Sequence, residues 1–129
     1  MPVPILKQGQ ILIATVRSAL SDSETEQFRD ELMRRVDESR AKGIIVDITA
    51  LDVLDSFAAR SLQTIARMTR LRGAGTVIVG VAPEVAFAMV QLGLAFEDMD
   101  TALDLEEGLA LLDRKLGRDQ STGGRSDAR

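Results

Sequence analysis

The order of strand-like and helix-like segments predicts an α/β fold, in which a mixed, mostly parallel β-sheet is opened by a β-hairpin and packed by about four α-helices. Three observations carry this expectation. Ile44-Ile45-Val46-Asp47-Ile48 and Thr76-Val77-Ile78-Val79-Gly80 are short β-branched runs, the pattern of strands covered on both faces. Amphipathic segments with helical spacing lie before, between and after them. Ahead of these, two short apolar runs flank a single Gly-centred turn.

In chain order, Ile5-Leu6-Lys7 and Ile11 to Val16 form the hairpin, with Gly9 supplying the tight turn. Ser21 and Glu24 match a capping box, and Phe28, Leu32 and Val36 then mark one stripe of a helix of about 20 residues. Its other face carries Arg29, Glu31, Arg34, Arg35 and Glu38, and Gly43 is the expected stop. After the Ile44–Ile48 strand and a loop from Ala50 to Leu54, a second helix is expected from Asp55 to Leu71. Asp55 is its N-cap and Ser56 lies in its first turn. Ala58, Leu62, Ile65 and Thr69 point inward from this helix, and Arg60, Gln63, Thr64 and Arg67 point outward. Pro83 opens a third helix that Gly93 ends, an extended piece over Ala95 to Met99 supplies the last strand, and Asp104 with Glu107 caps a fourth helix. Leu105, Leu109, Leu112 and Leu116 are the inward stripe of that helix. From Gly117 onward no apolar residue is larger than Ala, so residues 1–116 read as one domain and 117–129 as a flexible polar tail.

Composition narrows the function. The 129 residues are 45% hydrophobic, enough for one packed core, and contain neither Cys nor His. Thiolate chemistry, disulfides, His general bases and the commonest metal ligand are thereby removed, which disfavours an enzyme. A net charge of −4 disfavours nucleic acid, which wants a basic face. No apolar run is long enough to cross a bilayer, and Met1-Pro2-Val3-Pro4 has no signal-peptide character, so a cytoplasmic protein is expected.

Few motifs remain. Gly73-Ala74-Gly75 precedes a strand instead of following one, so it reads as turn glycines and not as a phosphate loop. Asp47, Asp52 and Asp55 gather at the carboxyl end of a strand, where α/β sheets bind ligands. A three-Asp Mg²⁺ site is one reading; loop amides satisfied by Asp47 and Asp52, with a helix capped by Asp55, is the favoured one. No cofactor and no metal is expected. Ser56 lacks the Gly-x-Ser-x-Gly setting of a hydrolase nucleophile. It reads either as a plain helix-starting serine or as a phosphorylation site. A phosphate there would meet free amides and the positive end of the helix dipole, with Arg60 one turn on as a pairing cation. Asp52 and Asp55 would make the same surface strongly negative, which disturbs an interface more than a fold.

The segment Val46-Asp47-Ile48-Thr49-Ala50-Leu51-Asp52-Val53-Leu54-Asp55-Ser56-Phe57 resembles the signature of STAS domains, the anti-sigma factor antagonist family. Pro4 to Lys7, Gly73 to Gly80, Pro83 to Ala86, Leu92-Gly93 and Thr101 to Leu109 resemble it too, so the likeness spans about residues 3 to 116. Within the family the chain looks most like the RsbS type, the small scaffold subunit of the bacterial stressosome. The resemblance implies a STAS fold and a non-catalytic subunit that co-assembles with RsbR-type STAS paralogues, self-associates as a dimer or large shell, and sequesters an RsbT-type serine/threonine kinase. It implies phosphorylation of the serine matching Ser56, release of the kinase, and resetting by an RsbX-type phosphatase. Asp52, Asp55, Phe57, Arg60, Gln63, Thr64 and Arg67 would border the partner surface. The alternative within the family is a stand-alone antagonist that binds one anti-sigma kinase. Such single-partner members usually carry Ser-Gly after the phosphorylated serine, where this chain has Phe57-Ala58.

Overall fold

The computed structural model describes residues 3–94 and 97–124, the last seven of these by their backbone alone. Five strands and four helices follow in the order β1 (Ile5–Gln8), β2 (Ile11–Thr15), α1 (Asp22–Ser39), β3 (Gly43–Asp47), α2 (Ser56–Leu71), β4 (Gly75–Val79), α3 (Pro83–Gln91), β5 (Asp100–Ala102) and α4 (Leu105–Gly124). The strands form one sheet in sequence order. β1 and β2 pair antiparallel, Ile5 opposite Ala14, around a turn in which Gly9 takes φ +61°. β2, β3, β4 and β5 are all parallel, so every later connection is a helical crossover.

Strand alternation divides the core. Leu12, Ala14, Ile44, Val46 and Ile78 face one way and pack with Phe28, Leu32 and Val36 of α1, Leu62 and Ile65 of α2, and Val85 and Met89 of α3. Ile11, Ile13, Ile45, Val77 and Val79 face the other way, against Leu112 of α4, with Leu105 and Leu109 at the margin. Both central strands are therefore covered on both faces, which is why they read as unbroken apolar runs. The capping box of α1 forms as its sequence predicts: the Glu24 amide donates to Ser21 Oγ at 3.1 Å, and the Ser21 amide donates to Glu24 Oε1 at 2.9 Å. That bond to the Ser21 amide holds the Glu24 carboxyl below its usual pKa.

Several expected boundaries move. α1 ends at Arg40, in the left-handed region at φ 53°, and not at Gly43. Gly43 is instead the first residue of β3, where a Cβ would stand 3.0 Å from the Leu112 methyls, so glycine is there to let α4 lie close. The last strand is Asp100–Ala102, not Ala95–Met99. Met99 is buried, but the ladder with β4 begins one residue later, on Asp100 opposite Val77; Ala95 and Phe96 lie outside the described residues. Apolar content located the core contact there and missed the hydrogen-bonded edge. α4 runs on through Gly117 to Gly124, beyond the stop expected at Leu116. Once its first turns are nucleated against the sheet, each added residue contributes a backbone hydrogen bond. Residues 125–129 of the expected tail lie outside the described residues.

The inward stripe of α2 is also wider than expected. Ala59, Ser61 and Ala66 are buried beside Leu62, Ile65 and Thr69, whereas Ala58 is only half-buried.

Candidate functional site

β3 ends at Asp47, and the chain crosses the carboxyl edge of the sheet before starting α2. Two buried side chains, Leu51 and Leu54, pin this loop to the core. The Asp47 carboxylate accepts from the Thr49 amide at 2.9 Å and from the Thr49 hydroxyl at 2.6 Å, closing the turn that follows the strand. The neighbouring loop after β4 presses on the same point. Gly80, at φ +77°, lies so close to Thr49 that a Cβ would stand 2.8 Å from the Thr49 Cα. The backbone leading to α2 is therefore fixed at both ends, by apolar anchors and by a contact only glycine allows.

Asp55 is extended at the N-cap, and its carboxylate accepts from the Ala58 amide at 2.8 Å. Ser56 is the first helical residue, and its side chain is exposed. The favoured reading of the Asp trio is met for two of its members: Asp47 serves a loop amide and Asp55 caps a helix. Asp52 is exposed, and among the described residues its carboxylate accepts from no loop amide. Among the described residues no group of three or more carboxylates is arranged to hold a metal ion.

Part of the expected surface set lies along one face of α2. Ser56, Arg60, Gln63 and Arg67 follow at i, i+4, i+7 and i+11 along α2, which puts them on one face, opposite Leu62, Ile65 and Thr69. Arg60, Thr64 and Arg67 are exposed, while Phe57 and Gln63 are half-buried. Arg67 differs in its chemistry from the others, because its Nε donates to Asp98 at 3.2 Å, and Asp98 is also bound by Arg70. Those bonds, Arg70 first, hold the Asp98 carboxyl below the usual aspartate range. This end of the stripe is a structural clasp between α2 and the loop before β5.

Sequence reasoning missed two features of the site. Asp98 lies 31 residues from Arg67, and no local pattern announces the pair. Val53 is 60% exposed beside an apolar recess lined by Leu20, Phe28, Leu51, Leu54 and Leu62. The periodicity of a loop carries no signal for such a rim.

A regular sheet of this topology, three crossover helices on one face and a capped serine opening the middle one define a class. The family model for the STAS domain matches residues 3–108, and the chain belongs to the STAS family. Among individual proteins it is similar to a serine-to-glutamate variant of RsbS from Moorella thermoacetica. The identity is 37%, with a TM-score of 0.80, over 90% of this chain and 97% of that one. A chain from a structure of the molecular architecture of the stressosome is 34% identical, at a TM-score of 0.74, over 89% and 99% of the respective chains. The RsbT co-antagonist protein RsbRA of Bacillus subtilis is 25% identical over 118 residues, which take in 88% of this chain and 42% of RsbRA. The chain thus spans about two fifths of that relative's length. The anti-sigma factor antagonist SpoIIAA in its unphosphorylated form shares the fold, at a TM-score of 0.67 and 16% identity. The likeness is to stressosome-related, anti-sigma-antagonist STAS proteins. Among the described residues, no helix is long and apolar enough to cross a membrane.

Proposed function

We propose that this chain is a non-catalytic scaffold and phospho-switch subunit of a bacterial stressosome, which sequesters an RsbT-type serine/threonine kinase and releases it when Ser56 is phosphorylated. The observation that carries the reading is the setting of Ser56: an exposed hydroxyl at the first position of α2, behind an Asp55 cap and on a loop anchored at both ends. A kinase bound in trans supplies the ATP and the base. Ser56 Oγ attacks the γ-phosphorus, its proton passes to the kinase, and ADP leaves. The product adds a charge of about −1.5 to −2 at neutral pH beside Asp52 and Asp55, which opposes a docked partner without entering the core. RsbR-type paralogues co-assemble with the chain, and an RsbX-type phosphatase removes the phosphate; all of this takes place in the cytoplasm. The similarity to RsbS and to a stressosome chain over nearly the whole of both sequences supports the assembly part of this reading.

Intact-mass measurement after incubation with ATP and an RsbT-type kinase tests the site. The wild-type chain gains one phosphate and Ser56→Ala gains none. Equal gain by both removes Ser56 from the mechanism.

A further inference from the structure

α2 carries four arginines on its solvent side or at its end, and three of them are engaged. Arg67 and Arg70 hold Asp98, and Arg72 donates to Asp37 at 2.7 Å. Arg60 is exposed and, among the described residues, makes no ion pair. Its five N–H donors face solvent four residues after Ser56.

That spacing has a direction. Helical side chains lean toward the N-terminus, so the Arg60 guanidinium reaches back over the turn that begins at Ser56. An anion at i with a cation at i+4 is the favoured orientation of a helical ion pair. In the unmodified protein the i position holds a neutral hydroxyl, and the first turn of α2 contains no acidic residue. The carboxylate nearest to Arg60 in the sequence, Asp55, five residues away, is committed to the Ala58 amide. α2 thus presents half of an ion pair.

We infer that Arg60 is the intramolecular counter-ion of phosphorylated Ser56. This rests on Ser56 being the phosphorylated residue. The planar guanidinium donates two parallel hydrogen bonds to the phosphate oxygens, geometry that a lysine does not reproduce. The pair offsets repulsion from Asp52 and Asp55 and keeps the added charge along the helix. It also withdraws the exposed cation of this surface from any partner it met before modification, so phosphorylation changes two charges at the interface instead of one.

The test introduces phosphoserine at position 56 by genetic encoding, without a kinase, and follows the phosphate by phosphorus NMR as pH is varied. The dianion is favoured by a neighbouring cation, so its second ionisation falls about 0.3 pH unit lower in the wild-type background than in Arg60→Gln. Arg60→Lys, which keeps the charge and loses the fork, falls between the two. Raising the salt to about 1 M shrinks the wild-type difference, as expected of an exposed pair. An ionisation at the same pH in wild type and Arg60→Gln overturns the inference. The kinase assay on the unmodified serine is read separately, so a protein that pairs its phosphate but is no kinase substrate refutes the proposed function alone.

Discussion

Thr76 occupies β4 opposite Ile44, 2% exposed, and its hydroxyl is a buried side-chain atom with no hydrogen-bond partner among the described residues. A hydroxyl removed from water without a partner costs about 1–3 kcal/mol, and valine has nearly the same shape without that cost. Thr76→Val is therefore expected to raise stability by about 1 kcal/mol, read as a higher urea midpoint at unchanged slope. Asp55 gives the opposite sign. Its carboxylate satisfies the Ala58 amide, so Asp55→Ala should lower stability by about 1 kcal/mol, while Asp55→Asn, which still caps, should stay near wild type. The Asp55 cap was legible in the sequence, because capping is a local geometry written into adjacent residue types. The orphaned Thr76 hydroxyl was not, since a β-branched residue in a strand looks the same whether or not its oxygen has found a partner.

At the scale of elements, two contacts hold the carboxyl edge of the sheet in place. Gly80 joins the loop after β4 to the loop after β3, and a Cβ there would lie 2.0 Å from the Thr49 hydroxyl oxygen as well as close to its backbone. Gly80→Ala must both occupy a left-handed backbone and displace the loop that leads to Ser56, so a loss of more than about 2 kcal/mol is expected in denaturant unfolding. The second contact is the Asp98 clasp between α2 and the segment before β5. The Asp98 carboxyl is held below its ordinary range, so the folded state favours the ionised form. Its contribution is complete above about pH 4 and disappears as pH falls through the lowered folded value. Asp98→Asn should consequently be less stable than wild type at about pH 7, with the difference shrinking as pH falls through the lowered folded value, compared by urea midpoints. The helices and the three longest strands could be read from periodicity because each buries a continuous stripe. The three-residue β5 could not, because its residues Asp100-Thr101-Ala102 pair through backbone at a sheet edge and carry no apolar pattern. The clasp joins residues about 30 positions apart and is equally silent in sequence.

At the scale of the molecule, the fold separates the proposed modification site from the stable core. α1, α2 and α3 bury one sheet face and α4 the other, while Ser56 lies outside both core clusters at the sheet's carboxyl edge. A negative charge at the first position of a helix agrees with its dipole, so a switch placed here acts on association and leaves the domain intact. Ser56→Asp is expected to match wild type in thermal unfolding, within the roughly 0.5 kcal/mol typical of surface substitutions. Its effect should appear only when partners are present. Mixed with an RsbR-type paralogue and an RsbT-type kinase, wild type and Ser56→Ala should elute as a large particle that retains the kinase. Ser56→Asp should give the same particle with the kinase free. Kinase retention by all three proteins would make the chain a filler subunit indifferent to Ser56. A small complex with one kinase and no particle would instead identify a stand-alone antagonist. Because Ser56→Asp leaves the core untouched, either departure would be a statement about the interface and not about a damaged fold.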